Sequence, residues 1–278
     1  MAVELELGFL TIPQAGLVEL IEVGAAAGFD AITATPTLYR QAGLSDAALR
    51  ARLRDAGVRI TYIDGFGGAF PGIPTGEAMA PYRSIMGLDL TPAFTTPEEE
   101  FYRAAEALGA ESINLMHFAG DSAVPSAVIV DILGGICERA ARRGFRILLE
   151  FLPDTGVGDI GAAADIAART GAANLDVMLD TAHLTNSGGT AADVARHAAR
   201  MGGIQINDLL PGGDDPGRLW PGDGDLPLAE MLGSVLRARP EVPVGVEVIN
   251  PRLTSGPPAQ VARRAAESAR VVLARVQD

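Results

Sequence analysis

Cysteine is nearly absent: the single thiol, Cys137, excludes an intrachain disulfide and any multi-cysteine zinc site, and is compatible with a reducing compartment. Histidine is scarce too. His117, His183 and His197 are the only three in 278 residues, so a centre built on several imidazoles is excluded by arithmetic. No run reaches the roughly 18 apolar residues of a membrane helix, and the start, MAVELELGF, lacks the basic and apolar stretches of a secretory signal. The expectation is a cytoplasmic protein with no membrane partner. Positive charge is in short supply, with 22 Lys plus Arg against 35 Asp plus Glu, a net charge of −13. Such a surface repels phosphate backbones, which argues against nucleic acid as a partner. What is there is a 48% apolar chain, enough to bury a sizeable core.

Short apolar runs alternate with longer amphipathic ones, the pattern of repeated βα units. Strands are expected at LELGFLT (5–11), AITAT (31–35), RITYIDGF (59–66), SINLMHF (112–118), RILLEFL (146–152), LDVMLDTA (175–182), GIQINDLL (203–210) and VGVEVI (244–249). Helical segments lie between them, several stopping at a glycine: Gly57, Gly109, Gly144 and Gly171. Ser45-Asp46 and Thr96-Pro97 read as helix starts, with Pro97 at the first helical position. Eight such units in this length predict an α/β fold, a single-domain (β/α)8 TIM barrel over residues 1–278; a doubly wound sheet is the alternative. One connection, about thirty residues from Gly67 to Thr95, is too long for a plain loop and reads as a lid or a surface excursion, with Phe66 and Phe70 as its apolar contribution.

Barrel sites lie at the C-terminal ends of strands. There the sequence offers Glu150 on strand five, Asp180 on strand six, Gln205 on strand seven and Glu247 on strand eight. Strand alternation lets all four point to one spot. Buried like charges raise one another's pKa and lose solvation, a conflict that a divalent cation resolves. The plainer alternative is that each acid caps a helix or pairs with an arginine. Four oxygen donors suit Mn²⁺ or Mg²⁺, with Co²⁺ or Zn²⁺ as further options.

Other candidates carry bland alternatives. His183, three residues past Asp180, is placed to bind a substrate hydroxyl; its alternative is a supporting role behind the ligands. His117 ends strand four and either reaches the pocket or is a satisfied core residue, while His197 sits on an exterior helix. Trp220, the only tryptophan, walls the pocket or packs its own loop. That loop carries Asp214, Asp215, Asp223 and Asp225 against one arginine, which favours an unphosphorylated small molecule as the substrate. GFGGAFPG matches neither a phosphate loop nor a dinucleotide fingerprint. Oligomeric state is left open, a homo-oligomer included.

The succession LLEFLP, LDTAH, QINDLLPG, RLWPGDGDLPLAEML and VGVEV resembles the xylose isomerase-like TIM barrels, the sugar phosphate isomerase/epimerase superfamily, from about residue 145 onward. The resemblance implies that Glu150, Asp180 and Glu247 bind a divalent metal, that Glu150 and Glu247 serve as acid and base, and that His183 and Arg218 contact substrate. Many members carry His-x-x-Asp on strand seven; here Gln205 precedes Asp208, a candidate substrate contact, as in the 3-dehydroshikimate dehydratase branch. The expected activity is therefore metal-dependent proton transfer beside a carbonyl, giving isomerisation or epimerisation of a sugar-like or cyclic hydroxy-carbonyl compound. Dehydration is the runner-up. An apurinic-site endonuclease is contradicted by the few histidines and the −13 charge, and a non-catalytic binding barrel would have no need of both glutamates.

Overall fold

A computed structural model of the chain describes residues 3–70, 91–117, 124–210 and 217–277. Eight parallel strands close one barrel in sequence order: β1 (Leu5–Leu7), β2 (Ala31–Ala34), β3 (Arg59–Phe66), β4 (Ser112–Met116), β5 (Arg146–Glu150), β6 (Leu175–Asp180), β7 (Met201–Ile206) and β8 (Val244–Val246). The closing pair is β1 with β8, Glu6 opposite Gly245. A helix follows each strand: α1 (Leu17–Ala27), α2 (Asp46–Ala56), α3 (Glu98–Leu108), α4 (Ser126–Arg142), α5 (Ile160–Thr170), α6 (Ala191–His197), α7 (Leu228–Ala238) and α8 (Pro258–Gln277). All eight expected strands are present, and the doubly wound alternative is ruled out by closure.

Where boundaries differ, the polar strand ends are responsible. The expected strand six runs to Ala182, but the Asp180 carboxylate accepts the His183 N–H at 2.9 Å and starts a helical turn, Thr181–Asn186, in its place. Pro97 occupies the cap position and α3 begins at Glu98, one residue later than expected. Ser45 caps α2 as predicted, and Gly57, Gly109 and Gly171 end their helices in the left-handed region.

Strand alternation divides the core in two. Ile147 and Leu149, Val177 and Leu179, Ile204 and Ile206, and Val244 and Val246 face the helices in the main apolar layer. Their neighbours face the barrel axis, where Tyr62, Leu148 and Met178 form a small apolar plug. One step toward the C-terminal end, the same parity turns Glu150, Asp180, Gln205 and Glu247 inward, all buried. The plug is the floor beneath them. Among the described residues no helix is long and apolar enough to cross a membrane. Of the long connection after β3, residues 71–90 lie outside the described residues; in its described part Phe94 packs with Leu152 and Met116 at the barrel mouth.

Candidate active site

Four carboxyl groups from four strands meet at the mouth: Asp64 (β3), Glu150 (β5), Asp180 (β6) and Glu247, just past β8. One buried cation sits among them. Arg218 Nη1 lies 3.0 Å from Asp180 Oδ2 and 2.8 Å from Glu247 Oε2, and its Nη2 lies 3.3 Å from His183 Nε2. His183 Nε2 is in turn 3.5 Å from Glu150 Oε1. Because arginine can only donate, Nε2 of His183 is an acceptor and Nδ1 carries the ring proton. Arg218 is itself fixed through its carbonyl, which accepts from Asn250 Nδ2 at 2.8 Å.

The chain's own polar groups finish the cluster. Gln205 Nε2 donates to Glu247 Oε1 and to the Tyr62 hydroxyl, both at 3.0 Å, leaving Gln205 Oε1 buried without a partner. Asn114 Nδ2 lies 2.8 Å from Asp64 Oδ1 and 2.6 Å from Glu150 Oε2. Asn207 Nδ2 reaches both Asp180 oxygens at 3.3 and 3.4 Å.

Four buried acids and one arginine cannot all be charged together. Burial first, then the neighbouring acids, pushes Glu150 well above the usual carboxylate range. Burial raises Glu247 to about 8 against the pull of Arg218, and Asp64 to about 6 against its Asn114 hydrogen bond. Asp180 goes the other way: burial raises it, but Arg218 and His183 outweigh that, so it stays ionised. Burial lowers His183 to about 4, keeping the imidazole neutral.

Glu150, Asp180 and His183 each bring one donor atom within 4.8 Å of the others. These residues, two carboxylates and a neutral imidazole, fit a divalent cation, and Gln205, paired with Asp180 across β6–β7, has an unsatisfied buried Oε1. The set differs from the four oxygens expected from the sequence. A ring nitrogen joins Glu150 and Asp180, while Glu247 is contacted by Arg218 and Gln205, and the same Arg218 also lies against Asp180 and His183. A ring nitrogen among the donors suits Zn²⁺ or Co²⁺ as well as Mn²⁺ or Mg²⁺.

Three of the candidate substrate contacts have partners within the fold. His117 is one residue out of phase: Asn114 and Met116 face the axis, whereas the His117 ring accepts the Gly156 N–H at 3.0 Å and meets Phe70 edge-on at 5.1 Å. Trp220 is buried in the main apolar layer. Asp208 organises the loop after β7, its carboxylate accepting the N–H groups of Leu209 (2.9 Å), Gly222 (2.9 Å) and Leu226 (3.0 Å). Asp208→Ala should therefore cost about 2–4 kcal/mol by stranding these amides, read as a lower midpoint in denaturant melts. A midpoint equal to that of the wild type would show that water replaces the carboxylate. Phe66 lies against Phe101, ring centres 4.7 Å apart, as core rather than lid. Asp214 and Asp215 lie outside the described residues, and Asp223 is paired with Arg264. Sequence reasoning missed Asp64 and Asn114, whereas Asn207 lies, as strand alternation predicts, on the same side of its strand as Gln205.

A family model described as xylose isomerase-like TIM barrel matches residues 21–272. A Streptomyces coelicolor protein named "Putative hydroxypyruvate isomerase" is 28% identical over 269 residues, covering 88% of each chain. The crystal structure of the IOLI protein with a binding zinc atom superposes with a TM-score of 0.81 at 17% identity, covering 98% of this chain and 99% of that one. The probable 3-DHS dehydratase AsbF from Bacillus anthracis gives 0.71 at 14% identity, covering 96% and 98%.

Proposed function

We propose, on the premise that this chain belongs to the xylose isomerase-like TIM barrel family, that it is an isomerase or epimerase. It would move a proton at the carbon beside a carbonyl in a small, unphosphorylated, sugar-like or cyclic hydroxy-carbonyl substrate. The observation that carries this reading is the placement of two buried glutamates at opposite ends of one His–Arg pair. Glu247 is held by Arg218 at 2.8 Å, Arg218 meets His183 at 3.3 Å, and His183 meets Glu150 at 3.5 Å. Proton transfer that keeps a carbon skeleton intact needs one group to remove a proton and another to return it, both with proton affinities near neutrality.

Each residue then has a task. Glu150 serves as the base in its ionised form, which a cation held beside it would favour against the burial that raises it; Glu247, which burial holds protonated to about pH 8, is the acid. Arg218 is permanently charged and offsets negative charge developing on the substrate oxygens, and neutral His183 orients a hydroxyl. The chain has no lysine, so a Schiff base is unavailable as a way to activate the carbonyl. A divalent ion held by Glu150, Asp180 and His183 would supply Lewis-acid polarisation of the carbonyl. The relative named "Putative hydroxypyruvate isomerase" supports this chemistry. The second reading, a dehydratase, is favoured by Gln205 on β7 and by the likeness to AsbF.

Incubation with Mn²⁺ in D₂O, over hydroxypyruvate, ketohexoses, inososes and 3-dehydroshikimate, separates the two. The expected result is deuterium at the exchanged carbon without loss of water. Loss of water would instead assign the lyase, and no reaction with any compound would sink both.

A further inference from the structure

We propose that Asp64 and Asn114 form a positioning pair for Glu150, Asn114 clamping the two carboxyl groups so that only Oε1 of Glu150 is left to face the reaction. This rests on the isomerase reading only in what Glu150 is positioned to do. Asn114 is fully buried on β4, and its amide nitrogen lies 2.8 Å from Asp64 Oδ1 and 2.6 Å from Glu150 Oε2. An amide nitrogen carries two hydrogens, and here each goes to one carboxyl group. Turned over, the side chain would face both carboxyl groups with Oδ1, which could be satisfied only where they are protonated. Its orientation has a cost: Asn114 Oδ1 is buried with no partner.

Folding alone does not ask for this arrangement. An apolar side chain between Ile113 and Leu115 would fill the same position without an orphan oxygen. Asp64 accepts only from Asn114 and the Gly65 N–H, and no described cation pairs with it. A buried acid without a cation, tied to the candidate base through an amide that leaves its own oxygen unsatisfied, is what a site keeps at the expense of stability.

The test compares Asn114→Ala and Asp64→Asn with the wild type by thermal melting of the metal-free chain, Mn²⁺ titration, and exchange kinetics in D₂O. Asn114→Ala should weaken Mn²⁺ binding 10- to 100-fold and lower kcat with KM nearly unchanged. Asp64→Asn keeps an acceptor for Asn114 but removes one of four clustered acids, so it should melt a few degrees higher while kcat falls roughly tenfold. A pair that merely holds the barrel together behaves oppositely: both variants melt lower and bind Mn²⁺ as the wild type does, which overturns the proposal. Should Asn114→Ala not fold, Asp64→Asn decides on the sign of its melting shift, and the same sign decides if the wild type binds no Mn²⁺. Should the wild type convert none of the compounds, the isomerase reading fails while the melting and titration results still judge the pair.

Discussion

Glu150→Gln is expected to lower turnover by roughly 10²–10⁴-fold, the contribution of a positioned general base, without loss of stability. Glutamine is isosteric and can still accept from Asn114 through Oε1, so the contact at 2.6 Å survives. What disappears is a carboxyl group with no arginine beside it, facing Asp64, Asp180 and Glu247. Deuterium exchange and thermal melts on the same preparation read both halves of the expectation. If exchange continues at the wild-type rate in a folded Glu150→Gln protein, Glu150 is not the base. If the variant is inactive because its melting point has collapsed, the carboxyl was structural.

The second large effect concerns pH and a different acid. Glu6 on β1 is buried inside the barrel, accepts from Thr61, and is raised by burial from 4.5 to about 8. The folded chain therefore holds this proton more tightly than the unfolded chain. Its stabilising contribution is complete below about pH 4.5 and is lost as pH rises toward 8, a change on the order of 4 kcal/mol. The metal-free protein should melt several degrees lower at pH 8 than at pH 5. Glu6→Gln should lessen that slope, to which the raised Asp64, Glu150 and Glu247 also contribute, matching the wild type at pH 5 and exceeding it at pH 8. An unchanged slope in the variant would place the pH dependence elsewhere. Gly245, opposite Glu6 in the β1–β8 pair, is what admits the carboxyl: a Cβ there would stand 2.6 Å from Glu6 Oε1.

The strands and half of the site were legible because one rule governs both. In LDVMLD the apolar Val177 and Leu179 must face the helices, so Met178 and Asp180 must face the axis, and the same parity sets Glu150, Gln205 and Glu247. Parity also decides between the two readings of His117, a pocket contact or a core residue: it lies one residue out of phase with Asn114 and Met116. Asp64 escaped notice for a different reason. The pairing of β3 with β4 slips between Ile63 and Phe66, where Gly65 has φ +86°, and alternation cannot be read through an irregularity that the sequence does not mark. His183 reaches Glu150 only because the chain turns helical at Asp180, a tertiary consequence of a cap rather than a property of the strand.

The seam between β1 and β8 has a kinetic meaning. Leu5 pairs with Val244, so the barrel closes across nearly the whole chain, and bringing such distant segments together costs about 5 kcal/mol of chain entropy before any of the seam's hydrogen bonds form. Glu247 lies immediately after that seam, while Glu150, Asp180 and His183 lie well before it. A growing chain would carry its candidate base long before its candidate acid, and would become competent for proton return only in the last folding step, when the seam zips shut.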